Sequence, residues 1–148
     1  MKAGDMLRRK RGAAVITTPA GTAVAEAAAL LMEHGIGSLP VVGADGSLAG
    51  LVSERDVARA VAEHPDRVRD RPVKEVMQRP APSCSYDESI YALMGRMTRD
   101  RLRHVVVVDD GQVLGVISVG DLVKHRMEEL ETEAGVLRDH VAALRARG

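Results

Sequence analysis

Aromatic residues are nearly absent from this chain of 148 residues, which has two tyrosines and neither phenylalanine nor tryptophan. The core must therefore be aliphatic, and binding of nucleic acid by base stacking on aromatic side chains is excluded. Basic and acidic residues are equal in number, at 21 each, so the chain also lacks the net positive field that nucleic-acid binding uses. We expect no nucleic-acid partner.

Cysteine and long apolar runs are also scarce. Cys84 is the single cysteine, which excludes an intrachain disulfide and a four-cysteine zinc site and is typical of a reducing compartment. No apolar run approaches the length of a membrane span, and the stretch from Met1 to Arg11 lacks the apolar centre of a signal peptide. We therefore expect a cytoplasmic protein without a membrane partner.

Residues that carry chemistry occur without the spacing that catalysis requires. The five histidines have no metal-ligand spacing, and no P-loop, nucleophile elbow or carboxylate pair is present. Cys84 has no base near it in the sequence, so we interpret it as a small buried apolar residue. The basic run from Arg8 to Arg11 has no aromatic or apolar anchor and is interpreted as the solvated face of a short helix. The sequence predicts no enzyme, no metal and no catalytic cofactor.

The chain contains an internal repeat. Gly50 to Asp56 reads GLVSERD, and 65 residues later Gly115 to Asp121 reads GVISVGD. When the two halves are matched, residues before the hairpin turn are offset by 66, so that Thr17 matches Ser83. Residues after the turn are offset by 65. The single-residue slip falls in the hairpin turn, where insertions are tolerated best. We interpret the pattern as the duplication of a strand, helix, strand, strand, helix unit.

The serine and the aspartate of each copy have two interpretations. The serine stands where a helix N-cap belongs and the aspartate stands three residues later, so the pair is a candidate capping box. A helix N-terminus also binds phosphate through its free amides, and a nearby carboxylate accepts hydrogen bonds from ribose hydroxyls. Each copy, with Ser53 and Asp56 or Ser118 and Asp121, is therefore also a candidate nucleotide site.

The pattern predicts the elements of both halves. In the first, Ala13 to Thr17 is a short strand, and a helix follows from an N-cap at Thr22 to a C-cap at Gly35. The remaining predictions are strands at 38–42 and 47–53, a helix at 54–64, a linker at 65–72, a short helix at 73–77, an extended segment at 82–85, a helix at 89–99, strands at 104–109 and 113–118, and a long helix from Gly120. Residues 1–64 form the first repeat with a short N-terminal helix, 73–127 the second, and 128–148 a helical extension.

The whole pattern resembles a tandem pair of cystathionine β-synthase (CBS) domains, also called a Bateman module. The matching pieces are VITT, HGIGSLPVV, GLVSERDVARAV, RDRPVKEVM, SCSYDES, RLRHVVVV and GVISVGDLVKHR, and the chain is similar in particular to stand-alone two-CBS proteins. The resemblance implies an α/β fold of the α+β type, in which two β-α-β-β-α repeats pack with pseudo-twofold symmetry and leave two clefts between them. Tyr86 departs from the family pattern, which has proline there.

The resemblance also implies a ligand and its contacts. The ligand is an adenine nucleotide, with AMP first and ADP, ATP, NAD(H) or S-adenosylmethionine as further possibilities. Arginine and histidine side chains suit phosphate, so Arg55, Arg103 and His104 are added as phosphate-binding candidates. The full set of candidate site residues is Ile16, Thr17, Gly37, Ser38, Ser53, Arg55, Asp56, Ser83, Cys84, Arg103, His104, Ser118 and Asp121.

Two functions from different classes follow. The first is a non-catalytic nucleotide sensor in which ligand binding changes the orientation of the repeats, and a protein partner, which the sequence does not name, reads the change. The second is a structural homodimeric scaffold whose clefts are vestigial. We favour the sensor.

The C-terminal helix carries a separate pattern. Apolar residues recur with a 4-3-4-3-4-3 spacing at Val123, Met127, Leu130, Ala134, Leu137, Val141 and Leu144. This is the spacing of a heptad seam, although the helix provides only about three heptads. The seam either packs on its own domain or joins two subunits, and we expect a homodimer because the seam continues past the second repeat.

Overall fold

The chain folds as two similar halves followed by a long helix, in a computed structural model that describes residues 1–10 and 14–147. The first half contains α1 (Ala3–Arg9), β1 (Thr18–Pro19), α2 (Val24–His34), β2 (Ser38–Val42), β3 (Leu48–Ser53) and α3 (Glu54–Glu63). A 3₁₀ turn (Val73–Glu75) leads into the second half, with β4 (Ser83–Ser85), α4 (Ile90–Asp100), β5 (His104–Asp109), β6 (Gln112–Ser118) and α5 (Val119–Arg147).

Each half has its own three-stranded sheet of the same topology. In the first, β1 is parallel to β2, which is antiparallel to β3, and in the second β4, β5 and β6 repeat that order. Thr18 pairs with Val41 and Cys84 pairs with Val107, as the offset of 66 requires. The register shifts at equivalent places in both hairpins, after Val41 and after Val107. The predicted α+β fold and internal duplication are confirmed.

Three sequence-based boundaries are wrong. The first strand lies at Thr18–Pro19 and not at 13–17, although Ala13 itself falls outside the described residues. Thr22 is not the N-cap of α2, because its hydroxyl accepts a hydrogen bond from Thr18 Oγ1 at 2.7 Å and the helix begins two residues later, after Ala23. The short helix at 73–77 is only a 3₁₀ turn, Val73–Glu75. The C-cap at Gly35 is confirmed, and its φ of 60° is a conformation that glycine adopts without a Cβ clash.

The segment that leads into each half is buried in the core of the other half. Ala3 and Met6 of α1 are buried with Ile90, Leu93 and other apolar residues of the second half. Val73, which precedes the second half, is buried with apolar residues of the first half. Main-chain bridges fix both exchanges, from Lys2 to Ser89 and from Pro72 to Ala23. Neither half can therefore complete its core without a segment from outside its own repeat.

The repeated segments Gly50–Asp56 and Gly115–Asp121 share the pattern GhhSxxD, in which h is apolar, and the glycine that opens each copy makes this exchange possible. A Cβ on Gly115 would lie 2.8 Å from Leu7 Cδ2, a residue of α1. A Cβ on Gly50 would collide with the Met77 sulfur and lie 2.9 Å from the Gln78 carbonyl oxygen. Both distances are shorter than those that Cβ atoms keep from other heavy atoms in proteins. Each glycine is therefore the point where the exchanged segment docks.

The C-terminal helix α5 leaves the second half after little more than two turns. Leu122 is its one buried residue among those described. No side chain from 131 to 147 is buried, and the predicted seam residues are exposed, with Leu130 at 47% and Leu137 at 63%. Among the described helices, none is both long enough and apolar enough to cross a bilayer.

The glycine contacts generate a stability prediction. Gly50→Ala should lower the free energy of unfolding by about 1–3 kcal/mol, the range for an overpacked core, and Gly115→Ala should lower it by less, because the Leu7 methyl groups that it meets can shift. Gly95→Ala is the control, because Gly95 lies inside α4 with no heavy atom near an added Cβ. It should be neutral or stabilise by roughly 0.5–1 kcal/mol. Urea denaturation measures all three, and equal stability for the first two variants and wild type would contradict the docking role.

Candidate functional site

A cleft of about 430 Å³ lies between the two halves. The first half and the segment before it contribute the chain around Ile16 and Gly37, and the second half contributes the start of β5, the later part of β6 and the start of α5. One part of the wall is apolar and another is polar. The lining residues are Leu7, Lys10, Ala14, Val15, Ile16, Gly35, Ile36, Gly37, Ser38, His104, Leu114, Gly115, Val116, Ser118 and Asp121.

The polar part centres on the second GhhSxxD motif, Gly115–Asp121. The Ser118 amide donates to Asp121 Oδ2 at 2.8 Å, and the Asp121 amide donates to Ser118 Oγ at 3.1 Å, which is a capping box at the start of α5. Lys10 Nζ donates to the same Asp121 oxygen at 2.8 Å and to the Val116 carbonyl at 3.0 Å. Burial opposes ionisation of Asp121, but Lys10 and the hydrogen bonds from Ser118 outweigh it and lower the pKa of the carboxyl. Asp121 is therefore an anion held by a flexible side chain.

Two further polar groups of the cleft come from the starts of β2 and β5. Ser38 is 4% exposed, and in the described part of the chain its hydroxyl oxygen has no hydrogen-bond partner. A buried hydroxyl without a partner costs free energy, so Ser38 has a hydrogen-bonding position that a water molecule or a ligand in the cleft can fill. His104 lies opposite Gly37, whose added Cβ would be 2.8 Å from His104 Nε2. Burial lowers the pKa of His104, and the nearby Glu54 carboxylate partly opposes that effect.

The equivalent position of the first half is closed. Asp56 is 2% exposed and accepts hydrogen bonds from the Ser53 amide at 2.8 Å and from Ser53 Oγ at 2.9 Å. Arg59 and the Gln78 side-chain amide contact the same carboxylate at 3.3 and 3.4 Å. The predicted capping box is thus present in both repeats, but the first carboxylate is buried in its own contacts.

A difference in what covers the two aspartates explains this asymmetry. Over the first aspartate, Gln78 exchanges two main-chain hydrogen bonds with Leu51, at 2.8 and 3.1 Å. Over the second, the residue equivalent to Leu51 is Val116, and its carbonyl is met by the Lys10 ammonium group. A main-chain pair is fixed by the fold, whereas a lysine side chain can rotate away. Of the two aspartates, only Asp121 lines the cleft, whereas Asp56 is buried.

The structure brings together some of the residues expected from the sequence and separates others. Six of the thirteen candidates line the cleft, namely Ile16, Gly37, Ser38, His104, Ser118 and Asp121. The other seven do not line it, namely Thr17, Ser53, Arg55, Asp56, Ser83, Cys84 and Arg103. Cys84 is buried in the second core, and burial together with the Glu88 charge raises the pKa of its thiol to about 11. The interpretation of Cys84 as a small buried residue is confirmed.

Lys10 is the functional candidate that sequence reasoning missed. The interpretation of the basic run as a solvated face is confirmed for Arg8, Arg9 and Lys10, which are exposed, and Arg11 lies outside the described residues. Lys10 nevertheless also lines the cleft through its contact with Asp121, and Arg8 lies over the Tyr86 ring, 5.4 Å from its centroid. That ring also covers Gly4, which explains the departure from the family pattern at Tyr86. The run of basic residues identified this segment as charged, but only the packing of α1 on the second half shows that Lys10 contacts Val116 and Asp121.

The chain matches known proteins along most of its length. The family model for the CBS domain matches residues 4–63 and residues 73–128. Among curated proteins, the CBS domain-containing protein YhcV of Bacillus subtilis is 32% identical over 114 residues, which cover 76% of this chain and 79% of YhcV.

Solved structures agree with the observed fold. The CBS-domain containing protein ATU1752 from Agrobacterium tumefaciens has a TM-score of 0.78 and 36% identity, covering 85% of this chain and 99% of that one. The CBS domain protein PAE2072 from Pyrobaculum aerophilum, complexed with AMP, has a TM-score of 0.76 and 26% identity, covering 90% and 99%. The CBS domain pair of protein MJ0100, in complex with 5′-methylthioadenosine and S-adenosyl-L-methionine, has a TM-score of 0.77 and 26% identity, covering 87% and 98%.

Proposed function

The chain belongs to the CBS domain family, and we propose that it is a non-catalytic regulatory module that binds an adenine nucleotide in the cleft between its halves. Binding changes the relative orientation of the halves, and a protein partner reads the change. The observation that carries the proposal is a cleft whose lining combines apolar side chains with a partly exposed aspartate and with a buried serine hydroxyl that has no partner among the described residues.

The cleft is suited to the three parts of a nucleotide. The side chains of Ile16, Ile36 and Val116 provide an apolar wall for a base. The imidazole of His104, which also lines the cleft, provides a donor for a phosphate group. A cavity of about 430 Å³ lies within the range of roughly 300–1,000 Å³ that small-molecule sites occupy.

Asp121 is the group proposed to accept hydrogen bonds from the ribose hydroxyls. In the structure Lys10 occupies the same carboxylate oxygen, so a ribose must displace or share that contact. The released ammonium group then lies beside the phosphate end of the ligand, where its charge is favourable. Lys10 therefore favours a nucleotide over an uncharged nucleoside.

The ligands of two similar solved structures indicate which adenine compounds to consider first. PAE2072 is complexed with AMP, and the MJ0100 pair with 5′-methylthioadenosine and S-adenosyl-L-methionine. AMP is the ligand we propose first, because it has a base, a ribose and one phosphate, and ADP, ATP, NAD(H) and S-adenosylmethionine are alternatives. The single cysteine is consistent with the cytoplasm as the site of action.

The competing function is a structural homodimer with vestigial clefts. The environment of Asp56 supports a vestigial cleft in the first half, because hydrogen bonds from Ser53 and Arg59 already satisfy that carboxylate without a ligand. The open environment of Asp121 and the unpartnered Ser38 hydroxyl argue against it for the second half. We therefore propose a sensor with one working cleft.

The same substitution in both motifs tests the ribose role. Asp121→Glu keeps the charge and supplies a residue that capping boxes prefer, but its extra methylene moves the carboxylate away from hydroxyls that must lie within about 2.5–3.0 Å. We expect AMP affinity to fall about tenfold or more, equivalent to roughly 1–3 kcal/mol, with the melting temperature of the free protein nearly unchanged. Titration calorimetry and thermal denaturation measure the two quantities.

Asp56→Glu is the matched control. Asp56 is buried, so the added methylene should lower the melting temperature, while AMP affinity of the folded protein should stay at the wild-type value. Unchanged AMP affinity in Asp121→Glu would remove the ribose assignment and leave both aspartates as helix caps. If only Asp56→Glu loses AMP affinity, the nucleotide site lies at Asp56 in the first half, and the assignment to Asp121 is wrong.

We also propose that α5 joins two copies of the chain. The helix continues without a buried residue from 131 to 147, and an isolated helix of that length is marginal in water. The exposed seam through Leu130, Leu137 and Leu144 has the heptad spacing of a coiled coil. Tyr91 of α4 donates a hydrogen bond to Glu129, so the second copy would meet a helix that is attached to the second half through its first three turns.

Two substitutions at neighbouring positions test the dimer. Leu137 lies on the seam and Val136 lies off it, and they are 63% and 64% exposed. Leu137→Glu should convert a dimer to a monomer in light scattering, because it places like charges in the seam, whereas Val136→Glu should leave the mass unchanged. Truncation after His125 should act as Leu137→Glu does. A monomeric wild-type chain, or the same number of subunits in all four proteins, would refute a helix-mediated dimer.

A further inference from the structure

A second cavity, of about 530 Å³, adjoins the nucleotide cleft between α1 and α5. The two cavities share Lys10 and Asp121, so the Lys10–Asp121 ion pair stands at the boundary between them. We name it the α1–α5 cavity. A ligand that opens this ion pair has access to both cavities.

The α1–α5 cavity is rich in positive charge. On the α1 side it is lined by Arg9 and Lys10, and on the α5 side by Lys124 and His125. Asp121 and Glu128 are its acidic members, and Asp121 is already paired with Lys10. In the described part of the chain, Arg9 and Lys124 form no ion pair. Glu128 also forms no ion pair in the described part of the chain, so the two unpaired cations outnumber the one unpaired carboxylate that lines the cavity.

The α5 members lie on one face of the helix. Asp121, Lys124, His125 and Glu128 follow the i, i+3, i+4, i+7 spacing that places side chains in a row. Lys124 lies about 4.5 Å beyond Asp121 along the helix axis, from a rise of about 1.5 Å per residue. A ligand whose ribose contacts Asp121 thus has a cation one helical turn away.

We propose that the α1–α5 cavity binds the phosphates beyond the first of a nucleoside di- or triphosphate. The inference rests on the proposed nucleotide function. The base and ribose occupy the first cleft, Lys10 turns from Asp121 to the phosphate chain, and Arg9 and Lys124 contact the second and third phosphates. ADP and ATP, with two and three phosphates, therefore bind more tightly than AMP.

The test compares adenosine, AMP, ADP and ATP in calorimetric titrations of the full chain at low ionic strength, where exposed charges act most strongly. The wild-type chain should bind ADP about fivefold or more tightly than AMP, as expected for one or two partly exposed charge contacts. In Arg9→Met/Lys124→Met the ratio of the two affinities should fall to about one, while adenosine and AMP bind as in wild type.

Arg67→Met/Lys74→Met is the control, because it removes the same two charges from exposed positions in and just after the linker, outside both cavities. It should retain the wild-type ratio of ADP to AMP affinity. Thermal denaturation of the free variants checks that both are folded. Inorganic pyrophosphate is titrated alone, and we expect it to bind at least tenfold more weakly than ADP.

The outcomes separate this inference from the proposed function. If AMP binds in a manner sensitive to Asp121→Glu but ADP binds no better than AMP, the phosphate subsite is refuted and the nucleotide cleft stands. An equal loss of AMP and ADP affinity in Arg9→Met/Lys124→Met also refutes the subsite, since it indicates a general effect of charge. Pyrophosphate that binds as tightly as ADP would make the cavity a polyphosphate site independent of the nucleoside. If no adenosine compound binds, both proposals fail.

Discussion

The exchange of leading segments between the two cores is the constraint on which the rest of the structure depends. Ala3 and Met6 of α1 complete the core of the second half, and Val73 completes that of the first. Burial of each apolar side chain contributes about 1.5–3 kcal/mol, so neither half gives up its borrowed segment easily. The exchange also fixes the relative position of the halves, because each borrowed segment is continuous with the cleft or with the linker. Gly50 and Gly115 mark two points where the exchange requires a close approach.

The same exchange makes the two motif aspartates unequal although their sequences repeat. The segment after Val73 crosses Leu51 with main-chain hydrogen bonds and closes the space above Asp56. The segment after α1 instead presents Lys10 to Val116 and Asp121. A side-chain cover can be displaced at modest cost, whereas a main-chain cover cannot be moved without disturbing the docked segment. Internal duplication thus produced two capping boxes, of which one remains available to a ligand.

The sequence predicted the duplication, the order of the elements and both capping boxes, because these depend on local spacing of glycine, serine, aspartate and apolar residues. It also predicted six of the residues that line the cleft, through the resemblance to CBS domains. It did not predict which aspartate is accessible, since Gln78 and Lys10 reach the motifs from positions 22 and 111 residues away along the chain. Nor did it predict that β1 lies at Thr18–Pro19, because two or three residues of strand carry too weak a pattern to locate.

The central claim is that this chain has one working nucleotide cleft, and the stoichiometry of binding tests it most directly. Calorimetric titration of the wild-type chain with AMP, repeated with ADP, ATP, NADH and S-adenosylmethionine, measures it without any substitution. The account predicts saturation at one ligand per chain for at least one of these compounds, with AMP among those that bind. Saturation at two ligands per chain would show that the Asp56 side also opens, and absence of binding by all five compounds would contradict the account and favour the scaffold.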